Sequence, residues 1–403
     1  MKCLVVLTIL LLPVSAFAGP PAWNPDRFPI GFWFGPPDKF VTPERFKQIA
    51  DCGFTFTFPA CAGAAANRES NRKVLDAVQS AGLKGFVQDA RMPFAIGNDA
   101  TAKPRLDAIV AAYADHPAFA GYFVADEPGP GGFPGLGEVT AYLREKDPTH
   151  VAYINLLPNH APEWAIGPTY EGHVDGFIRA VKPFAVSYDH YHFHTTGDGP
   201  LFFDNLDTVR RVCAKHGVPF WNIVLVVPHA SFRRPTEAEK RFEAMQTLAY
   251  GGKGLIWFTY WQPDATGQWG EAIIQADGTP TRQYDEVKRI NADVQAVGKY
   301  LLPATCVGVL TQGPQPGVPA RLPGAAVTVG IFTAGADHFA LVASRDYKAP
   351  IETDVLLSAG DRPVRRLDKA TGQWTAVATE AVAGGEKRVH VRVAAGDGEL
   401  LRW

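Results

Sequence analysis

Eight short runs of β-branched and aromatic residues recur along this 403-residue sequence as far as Trp261. They cover 29–35, 54–60, 85–89, 121–127, 151–157, 185–191, 221–227 and 255–261. Their spacing is roughly 30 residues, the length of one strand–helix repeat. Amphipathic stretches separate them, at 42–47, 72–81, 105–114, 136–146, 174–181, 205–215, 237–250 and 283–297. In the first of these Thr42 suits an N-cap and Pro43 the first helical position. Eight strands alternating with eight helices predict an α/β chain folded as a (β/α)8 TIM barrel. A doubly wound open sheet is the competing arrangement, but no Gly-rich phosphate loop follows the first strand.

The pattern changes after residue 304. Short runs at 307–310, 326–332, 338–343, 352–357, 364–368, 388–393 and 400–403 are broken by Gly, Pro and Asp, without helical periodicity. They predict a small all-β sandwich. Its role is open between packing on the barrel and binding a glycan. At the other end, Lys2, the apolar run 4–12 and Ala16-Phe17-Ala18 have the layout of a cleaved signal peptide. The expected organisation is therefore a signal peptide at 1–18, a barrel at 19–303 and a sandwich at 304–403, in a secreted or periplasmic protein. The apolar run is too short to span a bilayer, and no later run is long enough.

Formal net charge is −2 and no basic tract stands out, so no nucleic-acid partner is expected. Of the five cysteines, Cys3 falls in the leader. Cys52 and Cys61 flank an expected strand that separates them by roughly 20 Å, beyond disulfide reach. Cys213 lies in a helical pattern, so mostly free, buried thiols are expected. No Cys/His zinc spacing appears, and no metal or cofactor is expected.

In a parallel barrel the loops after each strand form one face, where such enzymes keep their acids and bases. The stretch Gly121-Tyr122-Phe123-Val124-Ala125-Asp126-Glu127-Pro128 reads as a buried strand ending in two adjacent carboxylates. If the strand stays extended, Asp126 and Glu127 point to opposite faces. Other polar or aromatic groups at strand ends are Trp33, Asp89, Arg91, Asn155, Asp189, His190, His192, His229, Tyr260 and Trp261. Carboxylates, imidazoles and rings in one cleft match the needs of glycoside hydrolysis: an acid for the leaving oxygen, a second group for the oxocarbenium-like carbon, and surfaces for the sugar. The run Asp189-His190-Tyr191-His192-Phe193-His194 could alternatively hold a metal, but strand-end His more often bonds substrate or carboxylates.

Two segments carry a family resemblance. Gly254-Leu255-Ile256-Trp257-Phe258-Thr259-Tyr260-Trp261, after Leu248-Ala249-Tyr250-Gly251-Gly252-Lys253, resembles the last barrel strand of family 42 (β-galactosidase-like) and related clan A glycoside hydrolases. Asp126-Glu127-Pro128 is similar to the Asn-Glu-Pro that ends their fourth strand. The resemblance implies that Glu127 is the acid/base, with Asp126 where the family has Asn. It also implies a nucleophilic Glu at the end of strand seven, yet Ile223-Val224-Leu225-Val226-Val227-Pro228-His229-Ala230 has no carboxylate. Asp189 could take that part. The Asp126-Glu127 pair could instead serve a substrate-assisted hexosaminidase, an arrangement similar to family 123. The site could also bind glycans without cleaving them. A lyase using Tyr and His would need a positive clamp, for which Arg91 and Arg233 are available. The leading expectation is a hydrolase of extracellular glycans, with Glu127 as general acid, Asp189 as partner, and a carbohydrate as the only expected partner.

Overall fold

The computed structural model describes residues 24–59, 66–263, 267–311, 313–314, 318–322 and 327–403. The expected signal peptide, Cys61 and the last residue of the expected second strand lie outside the described residues. Eight parallel strands run in the order of the chain: β1 (Ile30–Phe32), β2 (Phe56–Thr57), β3 (Lys84–Gln88), β4 (Phe119–Asp126), β5 (Val151–Leu156), β6 (Val186–Asp189), β7 (Phe220–Leu225) and β8 (Gly254–Phe258). Each pairs with the next in sequence, except that β1 pairs with β8. The circle closes between β1 and β2, where Thr55 N–H donates to Ile30 O at 2.8 Å and Gly35 N–H to Pro59 O at 2.8 Å.

Eight helices form the outer layer: α1 (Pro43–Asp51), α2 (Arg68–Ser80), α3 (Ala102–Tyr113), α4 (Phe133–Lys146), α5 (Tyr170–Val181), α6 (Phe202–His216), α7 (Glu237–Ala249) and α8 (Arg282–Leu301). Thr42 does cap α1, accepting from Arg45 N–H at 3.2 Å, with Pro43 in the first turn. Thr236 and Glu239 form a reciprocal capping box at α7. A helical turn at Glu163–Ile166 and a hairpin pairing Phe193–His194 with Gly197–Asp198 were not foreseen from the sequence. No helix among the described residues is long and apolar enough to cross a membrane.

Rings fill the barrel. Phe58 lies 4.5 Å from Tyr153 and 5.0 Å from Phe86, and Phe56 lies 5.2 Å from Trp221. Such rings fit only where neighbouring strands give up side chains. A Cβ on Gly31 would enter the Phe56 ring, and one on Gly254 the Trp221 ring.

From Thr305 the chain builds two antiparallel sheets. Strands β9 (Thr305–Leu310), β12 (Val327–Ala334), β13 (Asp337–Ser344), β19 (Gly398–Arg402), β15 (Arg365–Leu367) and β16 (Trp374–Ala376) form one, in that order. The other orders β10 (Gly313–Pro314), β11 (Ala320–Leu322), β14 (Ile351–Leu357), β18 (Glu386–Val393) and β17 (Glu380–Val382). Alternation divides the first sheet into two faces. Val327, Val329, Ile331, Ala340 and Val342 meet Val355, Leu357, Val389 and Val391 of the second sheet. Phe332, Phe339, Leu341 and Leu400 pack instead with Ala244, Met245 and Leu248 of α7. The seam is tight enough that a Cβ on Gly330 or Gly396 would strike the backbone of Ala249 or Ala238. Beyond it, Tyr347 bonds Asp198 of the hairpin after β6 and sets its ring edge-on against Phe193.

Cys52 and Cys213 are buried free thiols, and Cys306 is a half-buried one.

Candidate active site

The centre of the strand-end face is set by the register of three strands. Asp126 of β4 stands beside Asn155 of β5, and Asn155 beside Ser187 of β6. The β4–β5 ladder shifts between Phe123 and Ala125, and Glu127 N–H donates to Asn155 O at 2.8 Å. Glu127 itself has φ +49°, in the left-handed region. That backbone costs an L-residue about 1–2 kcal/mol. It also breaks the alternation that would send Asp126 and Glu127 to opposite faces. The expectation that Asp126 points away is therefore corrected: both carboxylates join one group.

Asn155 ties the group together. Its Nδ2 donates to Asp189 Oδ1 at 2.8 Å and to Asp126 Oδ1 at 3.2 Å. Its Oδ1 accepts from Ser187 Oγ at 3.2 Å, and Ser187 Oγ lies 2.7 Å from the Tyr153 hydroxyl. Asn155 is thus buried scaffolding for the carboxylates. The Glu127 and Asp189 carboxyl groups lie within hydrogen-bonding reach of each other.

Their proton affinities follow. Asp126 and Glu127 are open to solvent, whereas Asp189 is buried. The first two nevertheless sit in a concave face crowded by protein. Loss of hydration and then the Glu127 charge push Asp126 up to about 6, against the opposing Asn155 bond. Glu127 is also raised by lost hydration, although its bond to Asp189 pulls the other way. Asp189 is raised furthest, by burial first and the Glu127 charge second. No cation acts on Asp126 or Glu127 among the described residues. Both groups therefore hold protons more tightly than an ordinary carboxyl, Asp189 the more so because it is buried.

The remaining strand-end residues divide. Trp33 is half-buried beside the group, 5.4 Å from Phe123 and 6.3 Å from Tyr153. His229 is half-buried and stacks on Trp269 at 4.7 Å. Its Nδ1 lies 2.9 Å from Val227 O, and lost hydration lowers its proton affinity.

Five expectations are corrected. Asp89 is buried with both oxygens occupied: Arg91 grips it through Nε at 2.9 Å and Nη2 at 2.8 Å, and Tyr113 OH donates at 2.6 Å. Burial raises Asp89, but these donors outweigh it and leave its affinity below normal. Arg91 turns Nε and Nη2 to that pair while its side chain stays part-exposed, so it is Asp89 that is not free for a sugar. His190 and His192 are buried facing the helices, at 5.6 Å and 4.8 Å from Phe202. Tyr260 and Trp261 are likewise buried. β8 ends at Phe258, and the chain then pairs Tyr260 N–H with Trp33 O and Trp261 N–H with Phe34 O. Tyr260 packs on Phe32 at 4.6 Å, and Trp261 on Phe40 at 4.7 Å. These rings belong to the layer between barrel and helices.

Sequence reasoning missed Tyr191. It lies within electrostatic reach of Asp189, Asp126 and Glu127, and its ring adjoins Phe258 at 5.1 Å and His229 at 5.6 Å. The signal was present: two residues after Asp189, it shares the Asp189 face, whereas His190 and His192 take the other. Phe34, Phe258 and Trp269 complete a half-buried aromatic wall with His229. Among the described residues no group of three or more His, Cys, Asp or Glu is arranged to hold a metal.

No family model matches the sequence, and no curated protein aligns with it. Solved structures do. A β-galactosidase from Bacillus circulans sp. alkalophilus aligns over 94% of this chain and 99% of its own, with 10% identity and TM-score 0.64. A glycoside hydrolase family 5 protein from Bacteroides vulgatus aligns over 93% and 88%, with 11% identity and TM-score 0.58. A β-galactosidase from the psychrophilic Marinomonas ef1 aligns over 68% of this chain at 11% identity and TM-score 0.51, and the chain spans only 62% of its length. At such identities the likeness establishes the fold alone: a (β/α)8 barrel followed by a β-sandwich.

Proposed function

We propose that this protein hydrolyses O-glycosyl bonds of a carbohydrate, with Glu127 as the acid/base and Asp189 as the group that sets its protonation. The observation that carries this reading is the Glu127–Asp189 pair, within hydrogen-bonding reach at the ends of β4 and β6 and with raised proton affinity. A carboxyl group able to hold a proton near neutral pH suits protonation of a leaving oxygen. Glu127 is the accessible member and Asp189 the buried one. Glu127 therefore meets the sugar, while Asp189 stores or returns the proton behind it. Trp33 and the wall of His229, Phe258 and Trp269 offer ring faces to the substrate, with Tyr191 buried behind them. The solved neighbours with β-galactosidase and family 5 names support this class of chemistry, and the family 42-like triplet at Asp126–Pro128 supports the role of Glu127. The leader-like N-terminal sequence supports action outside the cytoplasm.

Contact between the carboxyl groups leaves no room for the water that inversion places between them, about 6.5–9.5 Å apart. It also keeps them from standing on opposite sides of a sugar carbon without rearranging. With no carboxylate at the end of β7, this favours a second reading in which the substrate supplies its own nucleophile. Asp126, set beside Asn155 by the register shift in β4, would then orient a 2-acetamido group while Glu127 protonates the leaving oxygen.

One assay addresses both readings. Release from paired aryl glycosides bearing 2-hydroxyl or 2-acetamido groups, with polysaccharides alongside, is measured for wild type, Glu127→Gln and Asp126→Asn. The primary reading expects release abolished by Glu127→Gln. Confinement to 2-acetamido substrates, with strong loss in Asp126→Asn, selects the substrate-assisted form. Equal release by wild type and Glu127→Gln removes Glu127 from the chemistry.

A further inference from the structure

The large apolar side chains left exposed are not scattered. Among the described residues they are Trp164 at 87% exposure, Phe94 at 66%, Val307 at 40% and Leu201 at 37%. Three of the four lie on loops at the strand-end face: Phe94 after β3, Trp164 after β5 and Leu201 after β6. The two most exposed flank the loop that follows Glu127. On one side a Cβ at Gly135 would touch Ala95 and lie 3.0 Å from Phe94 O. On the other, a Cβ at Gly129, two residues beyond Glu127, would lie 3.1 Å from Ala165 O, and one at Gly167 would lie 3.7 Å from Pro130.

Trp164 is held out rather than left loose. Its helical turn is closed by bonds from Ala165 N–H to Pro162 O at 2.8 Å and from Gly167 N–H to Glu163 O at 2.7 Å. Ala165 and Ile166 are buried, Ile166 within the barrel's core, and Gly167 ends the turn at φ +82°. Two anchored neighbours and a glycine stop thus fix the backbone that carries the indole into solvent. An indole is the costliest side chain to leave in water, since burying one removes about 150–250 Å². A flat ring carried on a fixed turn beside the Glu127 loop is placed to receive a flat apolar face.

We infer that Trp164 is a sugar-stacking position for a neutral glycan chain extending from the Glu127 cleft, and so that the substrate is an oligosaccharide or polysaccharide rather than a single glycoside. The inference rests on the glycosidase reading for the cleft but not for the stacking itself. Neutrality follows from charge: Glu163 is exposed beside the ring, and Asp126 and Glu127 lie beyond the shared loop. A uronate or sulfated polymer would meet these like charges there.

The test uses binding, so that it is independent of turnover. Titration calorimetry with cello-, xylo-, manno-, galacto- and chito-oligosaccharides of one to six sugars is run on Glu127→Gln and on Glu127→Gln/Trp164→Ala. The expected result is affinity that grows with chain length in the first protein. The Ala variant should lose about three- to tenfold on the longer chains, leave single sugars unchanged, and recover in Trp164→Phe. Equal affinity of both proteins at every length overturns the inference, as does failure of every oligosaccharide to bind. Chain-length-dependent binding lost in Trp164→Ala, from a wild-type protein that cleaves none of the ligands, keeps the stacking site and overturns the hydrolase reading. Cleavage that is lost in Glu127→Gln but indifferent to Trp164 at all lengths does the reverse.

Discussion

β3 and β4 are neighbours in the barrel and both lead into carboxylates at the same face, yet their acids live in opposite conditions. Asp89 is held by a guanidinium and a phenol, which together overcome its burial and keep it ionised. Asp126 and Glu127 meet only an amide, each other and a third carboxyl, and both hold their protons more tightly than usual. One strand end has been neutralised into structure, and the other has been left electrostatically unfinished. An unfinished cluster is costly to fold, and that cost is what makes it a candidate for chemistry.

The sharpest way to break this contrast is to remove one charge from each end. Glu127→Gln should lower kcat by about 10²–10⁴-fold with an unchanged far-ultraviolet circular dichroism spectrum. Asp89→Asn should keep kcat within a few-fold while costing about 1–3 kcal/mol in a denaturant titration. If the activity loss instead followed Asp89, the assignment of structure to one end and chemistry to the other would be reversed.

The same contrast has a pH signature. Raised carboxyls bind more protons in the folded than in the unfolded chain. Their contribution therefore favours folding on the acid side and is lost as pH rises from the ordinary carboxylate range through about 6 for Asp126. Asp89 is lowered, so its contribution is present above the ordinary range and lost as pH falls. Scanning calorimetry at pH 4 and pH 7.5 should show Glu127→Gln melting above wild type at the higher pH, with the gain shrinking at the lower. Asp89→Asn should melt below wild type most clearly at pH 7.5. A Glu127→Gln melting point that is unchanged at both pH values would contradict the crowded-carboxylate picture.

A smaller effect is expected at the amide between them. Asn155→Ala removes the donor that lowers both Asp126 and Asp189. The acid limb of the pH–rate profile should move to higher pH, with a few-fold loss of kcat at acid pH. A profile that only scales down, without moving, would make Asn155 a structural residue alone.

How much of this was legible follows from periodicity. The barrel was readable because strand and helix patterns alternate eight times, and Glu127 because a buried run stops on it. Tyr260 and Trp261 misled because the reading carried β8 past Phe258, where the chain in fact turns under the loop after β1. Asp89 misled because its partner Tyr113 comes from a helix 24 residues on. His190 and His192 drew attention as imidazoles while strand alternation turned them outward and Tyr191 inward. The grouping of Asp126 with Glu127 could not be read, because nothing in Phe123-Val124-Ala125-Asp126-Glu127 announces a register shift followed by a left-handed glutamate.

That backbone has an implication for anyone seeking a hardier version of the molecule. Glycine would occupy φ +49° without penalty, and it would also erase a charge from a crowded acidic group. A library ranked by heat resistance alone would therefore enrich Glu127→Gly, and under the proposed acid/base role its winners would be inert. Position 127 is a place where selection for endurance and selection for work point in opposite directions, so any stabilising campaign must hold it fixed.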